Sequence, residues 1–198
     1  MSASDLVLAA LIENKLLLTQ DKVVPNVVSI LTGESLRTSW WSHPKGRLIF
    51  AVLSQLADHP DVLFAKLLCG KDTLIHRALW PAVLAVGRAR EPWQTRGLSA
   101  GAKRLLEHLD QGEDPVRASG APVKELEARL LATSREIHTE AGRHEVALES
   151  WQAWQARVRC RPARSVPNAR KVLEDAAIKL GAPLKALPWP ARGAASIR

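Results

Sequence analysis

The chain has 198 residues, 46% of them hydrophobic, which suits one compact domain and argues against disorder over most of its length. Its formal net charge is +8, and the whole excess lies near the C-terminus: residues 1–150 hold 18 Lys/Arg and 18 Asp/Glu, whereas residues 151–198 hold ten and two. No apolar run approaches the ~20 residues that span a bilayer, and residues 1–18 lack the basic start of a signal peptide, so we expect no membrane partner.

The first 60 residues predict three short helices. Ser4 is a candidate N-cap for the first helix, whose apolar residues continue to Leu18. Pro25 opens a second helix, which Gly33 ends. Pro44 opens a third helix with an apolar stripe at helical spacing.

Two seven-residue apolar runs, 62–68 and 73–79, flank a four-residue connection that contains Gly70. This pattern predicts a β-hairpin. Three helices followed by a hairpin is the element order of a winged helix. The sequence therefore predicts a mainly α protein with one small β-hairpin, in which a winged-helix-like N-terminal unit precedes a helical C-terminal region.

The rest of the chain predicts helices at 81–90, 99–110, 122–137, about 140–159, and 167–180. Glycine and proline concentrate between the second and third of these, which marks a boundary. We therefore expect a body over 1–110, a linker over 111–121, a basic helical region over 122–183 and a loosely held tail over 184–198.

Cys69 and Cys160 stand 91 positions apart, and neither belongs to a C-x-x-C motif. This usage fits two free thiols in a reducing compartment, so the sequence predicts a cytoplasmic protein and excludes a cysteine-based zinc ribbon. No nucleotide-binding loop is present either, because Ala65 and Asp72 break the required pattern. We expect no cofactor.

A cluster of aromatic and basic residues precedes the third predicted helix: Trp40, Trp41, His43, Lys45 and Arg47. Two indoles offer stacking surface for bases, and cations at a helix N-terminus suit phosphate. Lys71, at the turn of the predicted hairpin, is a further phosphate contact in this interpretation. The alternative is that the tryptophan pair packs on the core and the cations are merely solvated.

The C-terminal excess of charge begins with four arginines, Arg157, Arg159, Arg161 and Arg164, which follow Trp151 and Trp154. Aromatic side chains beside arginine are typical of surfaces that bind single-stranded or distorted nucleic acid. Alternatively, both tryptophans anchor a helix in the core and the arginines are solvated.

One spacing resembles a metal site. In a helix, Glu136, Glu140 and His144 share a face, and His138 lies nearby. Two carboxylates and an imidazole can hold a divalent ion that activates water. The H-E-x-x-H motif is absent, and these residues equally suit ordinary surface ion pairs.

The charge asymmetry predicts a nucleic-acid-binding protein, with DNA favoured over RNA and little sequence specificity. The sequence leaves open whether it is also an enzyme. One alternative is a metal-dependent hydrolase or nuclease that uses His138, Glu140 and His144. Another is a protein-interaction module that docks a protein partner through a tryptophan-rich surface.

Overall fold

The computed structural model describes residues 1–112, 115–138 and 144–190, and for residues 136–138, 144 and 145 the backbone alone. The N-terminal part contains α1 (Ala3–Asn14), β1 (Leu16–Leu18), α2 (Val27–Thr32), α3 (Gly46–Ala57), β2 (Val62–Leu68) and β3 (Lys71–His76). The rest contains α4 (Trp80–Arg88), α5 (Pro92–Thr95), α6 (Ala100–Asp110), β4 (Val116–Arg117), α7 (Ala121–Ala128), β5 (Ala132–His138), β6 (His144–Ser150), α8 (Trp151–Val158) and α9 (Val166–Leu180).

The first helix begins and ends earlier than its sequence pattern predicts. Ser2 rather than Ser4 caps α1, in a reciprocal capping box with Asp5. The chain leaves the helix at Lys15, which has a left-handed φ of 66°. Leu16–Leu18 then form β1, which pairs antiparallel with β3. The three leucines are buried, and α1 and α9 pack against this edge strand.

β1, β2 and β3 form the first sheet, in the order β1-β3-β2. The predicted hairpin is present, with Val62 opposite His76 and Leu68 opposite Lys71. Its second strand ends at His76, and residues 77–79 form a turn of 3₁₀-helix. Cys69 and Gly70, with φ of 53° and 63°, make the turn between the strands. The predicted winged-helix-like arrangement is not confirmed by these elements.

The prediction of a helical region with no further strands was wrong. β4, β5 and β6 form a second antiparallel sheet, in the order β4-β6-β5, where the sequence pattern predicts two long helices and a linker. α7 stops because Leu130 takes a left-handed φ of 50°. The following residues then alternate between two faces of a ladder in which Thr133 lies opposite Glu149.

Two apolar cores hold these elements together. The smaller one lies between the second sheet and helices α6 and α7, and includes Leu106, Leu126 and Leu148. The larger one unites the first sheet with α1, α3, α4, α8 and α9. Among the described residues, no helix is long and apolar enough to cross a membrane.

The segment predicted as a tail contributes to the larger core. Leu187 and Trp189 are buried there, and the Ala186 carbonyl accepts a hydrogen bond of 2.6 Å from the backbone N–H of Cys69. Trp189 Nε1 donates to Glu174 Oε1 at 3.0 Å. Residues 184–190 are therefore fastened to the body, and residues 191–198 lie outside the described part.

Candidate nucleic-acid interface

α8 lies directly against α4, and a glycine makes this possible. A Cβ on Gly87 would lie 2.5 Å from Trp151 Nε1, so only glycine allows the indole to approach so closely. Trp151 Nε1 also donates to the Leu130 carbonyl at 2.8 Å. The buried face of α8 is thus fixed by its tryptophans, and the opposite face is left to solvent.

The segment after α8 runs back along α4 toward its N-terminus. α8 ends at Arg159, whose φ is 53°, and the Ala163 N–H then donates to the Pro81 carbonyl at 2.8 Å. This anchored path exposes Arg159, Arg161 and Arg164. None of the three forms an ion pair with any described residue.

A concavity of about 530 Å³ lies between this segment and the end of α4. We call it the arginine groove, and its lining comprises Arg88, Gln152, Gln155, Ala156, Arg159, Cys160 and Arg161. An Arg88 Nη atom donates to the Gln155 side-chain carbonyl, which holds the guanidinium at the edge of the groove. The lining contains three cations and no carboxylate. The groove therefore carries a positive charge, which is complementary to an anion.

Cys160 lies in this groove as an unreactive thiol. Burial raises the pKa of the Cys160 thiol, and the positive charge of nearby Arg77 opposes that shift only in part. A raised pKa keeps sulfur protonated at neutral pH, so the groove carries no thiolate to offset its arginines.

Arg157, the first arginine of the predicted set, has a different role from its neighbours. Its Nε and Nη2 donate to the two carboxylate oxygens of Glu149 at 2.9 and 2.6 Å. Glu149 exposes 5% of its side chain. This hydrogen bonding raises the pKa of Arg157, so its charge is permanent and largely committed to Glu149.

The two predicted tryptophans differ in exposure. Trp40 is buried, whereas Trp41 exposes 65% of its surface and stacks on Trp40 with ring centroids 4.0 Å apart. Phe50 of α3, itself 50% exposed, lies 5.6 Å from the Trp41 ring. Trp41 and Phe50 form an aromatic surface, here called the Trp41 face, that sequence analysis identified only in part.

The cations beside the Trp41 face are not equally available. His43 lies 3.4 Å from Glu34, and Lys45 donates its Nζ to the Leu31 carbonyl at 2.8 Å. Arg47 is exposed and forms no ion pair within the described chain. Arg47 is three residues before Phe50 on α3, so the two side chains are neighbours on the helix surface.

Lys71, predicted as a phosphate contact, pairs with Asp21 at 2.8 Å. Burial of Asp21 opposes its ionisation, but hydrogen bonds from Lys71 and from the N–H groups of Val23 and Val24 outweigh it. The pKa of Asp21 is therefore lowered. The charge of Lys71 is offset locally, which weakens its attraction to a phosphate.

The structure does not bring the two predicted clusters together. Arg47 lies at the N-terminal end of α3, whereas Arg157 shares a cleft with residues 57–60 at the C-terminal end. Ten helical residues separate these ends by ~15 Å. The predicted residues thus form two separate surfaces.

The structure does not describe the side chains of the predicted metal ligands. Glu140 lies outside the described residues, and only the backbones of His138 and His144 are described, facing each other across β5 and β6. Among the described residues, no group of His, Cys, Asp or Glu is arranged to hold a metal ion.

Arg88 and Phe50 were not predicted as site residues. Folding alone brings Arg88 to the arginine groove and Phe50 to the Trp41 face. The one available signal was position: Arg88 ends a helix, and Phe50 lies one turn after Arg47. Compared with known proteins, the chain matches no family model, and it matches no curated protein or solved structure at a significant level.

Proposed function

We propose that the protein binds nucleic acid along the arginine groove, with DNA favoured over RNA and with little sequence specificity. The observation that carries this proposal is the lining of the groove, which has three arginines and no carboxylate. Planar guanidinium groups match phosphate oxygens, and phosphate contacts are independent of base sequence. Arg164, exposed just beyond the groove, extends the same positive surface.

The test is a salt titration of binding to a fluorescent DNA duplex. Replacing Arg159, Arg161 and Arg164 together by Ala should weaken binding and flatten the slope of log K against log salt by about 2 to 3. The matched control replaces Lys103, Arg104 and Lys124 by Ala. These three are also exposed, lie on α6 and α7, and lower the net charge equally.

The control should leave both the affinity and the slope nearly unchanged. Equal losses in the two variants would mean that only net charge matters, and unchanged binding by the groove variant would contradict the proposal. Repeating the titration with duplex RNA and with single strands establishes which form the groove prefers.

The Trp41 face supplies a second contact in this proposal, for bases that are not stacked in a duplex. Aromatic rings beside an unpaired arginine suit single strands. Trp41→Ala should cost about 1–3 kcal/mol of binding to single-stranded DNA. The salt slope should stay nearly constant, because stacking releases no counterions. Trp41→Phe retains a ring and should recover most of the affinity.

The same exposed face supports a second candidate function, docking of a protein partner. Phe50 and Trp41 are both large apolar side chains left in solvent. Apolar docking survives high salt, whereas phosphate contacts do not. Binding of a cellular partner that persists in high salt and is lost in Trp41→Ala would favour this candidate.

We also propose a cytoplasmic location. Both cysteines are free, and Cys69 is exposed at a hairpin turn. Free exposed thiols suit a reducing compartment.

A further inference from the structure

On the other side of α8 from the arginine groove, a second cavity lies where the two sheets meet. This seam cleft, of about 350 Å³, is bounded by the loop after α3, by β2, by β5 and by α8. The sheets are joined there by a side chain: Thr133 Oγ1 of β5 donates to the Phe64 carbonyl of β2 at 3.3 Å. Leu63, Trp80, Trp154 and Val158 give the cleft an apolar wall.

Two arginines enter the seam cleft and are positioned by one buried carboxylate. Glu149 accepts both hydrogen bonds from Arg157, and its Oε2 lies 4.0 Å from Arg135 Nε. Arg135 Nε is buried and has no hydrogen-bond partner among the described residues. The Arg–Glu–Arg group carries one net positive charge. Glu149 fixes the Arg157 guanidinium through two hydrogen bonds and attracts Arg135 from 4.0 Å.

Several donors in the cleft remain without protein acceptors in the described part of the chain. Glu149 accepts from Nε and Nη2 of Arg157, so the Nη1 group of Arg157 is still available to donate. Both Nη groups of Arg135 are also available to donate. His59 accepts a hydrogen bond of 3.1 Å from the Asp61 N–H at its Nδ1, so its proton is on Nε2. These donors come from three different walls of the cleft.

We propose that the seam cleft binds a phosphate monoester. Such a group carries a charge near −2 and three terminal oxygens, so it can accept from Arg135, Arg157 and His59 at once. A carboxylate has only two oxygens, which lie in one plane, so it cannot accept hydrogen bonds from all three walls of the cleft equally well. Exposed Asp58 also lines the cleft and opposes an anion. Glu149 acts as a positioning residue, and the apolar wall receives the organic part of the ligand.

Two sources can supply this chemistry: a free nucleotide, or the 5′-phosphate at the end of a nucleic-acid strand. The volume of the cleft is at the small end of the range for small-molecule sites, which admits one mononucleotide or less. The residues that line the cleft are the only basis for this proposal, which does not depend on whether the arginine groove binds nucleic acid.

The experiment is calorimetric titration of the full chain with adenosine 5′-monophosphate and with adenosine. The monophosphate should bind, and adenosine should bind at least ~10-fold more weakly because it lacks the group that meets the charged donors. Saturable binding of adenosine with equal affinity, or no saturable binding of the monophosphate at millimolar concentration, would overturn the proposal.

Variants locate the binding in the seam cleft. Arg135→Ala should weaken monophosphate binding ~10-fold or more, since hydrogen bonds to charged groups are strong. The control is Arg104→Ala, which removes an exposed arginine of α6 far from the cleft. Asp58→Asn removes the opposing charge and should strengthen binding. An unchanged affinity in both Arg135→Ala and Asp58→Asn would place the ligand elsewhere and contradict the proposal.

Glu149→Gln tests the positioning role. The amide keeps the shape but offers a single acceptor oxygen, so Arg157 loses its two-point hydrogen bonding and its orientation. Monophosphate binding should therefore weaken even though a negative charge is removed. Arg135→Lys, which keeps the charge without the planar fork, should also bind weakly. If Arg135→Lys retained full affinity, a positive charge at this position would be enough to bind the monophosphate. The planar guanidinium of Arg135 would then not be required, which contradicts the proposal.

Oligonucleotides distinguish the two sources. A single strand with a 5′-phosphate should bind more tightly than the same strand with a 5′-hydroxyl if the strand end is the ligand, and Arg135→Ala should abolish the difference. Replacing Arg159, Arg161 and Arg164 should lower the affinity of both strands equally and preserve the difference. Equal binding of both strands, with the free monophosphate still bound, assigns the cleft to a free nucleotide.

Discussion

Helix α9 and the loop before it, residues 159–165, are neighbours in the chain and carry six of the ten cations that follow residue 150. In α9, Arg170 pairs with Glu91, Lys171 pairs with Asp175 and Lys179 donates to the Glu13 carbonyl. In the loop, Arg159, Arg161 and Arg164 have no ion-pair partner in the described part of the chain.

This contrast shows that a count of charges does not locate a binding surface. The Arg170 guanidinium contacts both Trp93 and Trp189, 5.8 and 5.6 Å from their ring centroids, where it supports the fold. The loop arginines contribute little to the fold and remain available to a ligand. The basic surface is therefore much smaller than the basic segment, and each half of the comparison can be tested by substitution.

The largest expected effect is on the α9 side. Trp189→Ala should lower the free energy of unfolding by about 3–5 kcal/mol, because this indole is 5% exposed and packs in the larger core. Chemical denaturation measures it. Trp41→Ala is the matched control, and it should cost far less since Trp41 is mostly exposed. Equal costs would mean that residues 184–190 are not docked as the structure shows.

Arg157→Ala should be next, with a loss of about 2–3 kcal/mol of unfolding free energy. The substitution leaves the buried Glu149 carboxylate with only the distant Arg135. Arg159→Ala, two residues later, should change stability by less than ~0.5 kcal/mol. Similar stabilities for the two variants would remove the distinction between committed and available arginines within this one segment.

Arg170→Lys should have a moderate effect, about 1–2 kcal/mol, because lysine keeps the charge but loses the planar group that contacts two indoles. Thermal or urea unfolding gives the value. Arg164→Lys in the loop should be neutral for stability. A neutral result at Arg170 as well would show that its charge, rather than its ring contacts, stabilises α9.

The smallest expected effect concerns Lys71 and is visible only against pH. The lowered pKa of Asp21 means that its ionised form stabilises the fold above its ordinary pKa, and this stabilisation is lost as pH falls through the folded pKa. Lys71→Ala should therefore cost up to ~1 kcal/mol at pH 7, and this cost should shrink as the pH falls below the ordinary pKa of Asp21 and through its lowered pKa in the folded protein. Lys22→Ala replaces an exposed lysine that forms no ion pair with a described residue, and it should show no such pH dependence.

Elements whose signals are local were predicted well. α2 ends at Gly33 as predicted but begins at Val27 rather than at Pro25, and α3 contains the predicted apolar stripe but begins at Gly46 rather than at Pro44, so both positions follow from the sequence to within two residues. The hairpin of β2 and β3 has a turn between two apolar runs. Such features are decided by neighbours in the chain, which a sequence displays directly.

The second sheet could not be predicted in this way. Residues 132–138 and 144–150 contain three Glu, two Ala and two His, and single-residue propensities favour helix or are indifferent at these positions. What decides the strand is tertiary: Thr133 bonds to Phe64, and Glu149 is buried against Arg157. A carboxylate is buried favourably only beside a cationic partner. The partner of Glu149 is Arg157, which lies on α8, so the sequence of the strand alone does not reveal it.

The same limit applies to the candidate site. Arg157 and Arg159 are two residues apart, and nothing in the sequence shows that one meets a buried carboxylate while the other faces solvent. The two arginines lie on different sides of α8: Arg157 lines the seam cleft, whereas Arg159 lines the arginine groove. Arg88, some 70 residues earlier, joins the groove only because α4 lies against α8.

The composition of the larger core has a consequence for synthesis. It includes Val7 and Leu11 from one end of the chain and Leu187 and Trp189 from the other, and α9 lies between α4 and β1. Contacts of such long sequence separation close late and slow folding. While the ribosome is still producing the last helix, the first sheet has an uncovered apolar side, which makes the nascent chain prone to aggregation. We therefore expect the growing polypeptide to depend on chaperones until Trp189 has emerged from the exit tunnel.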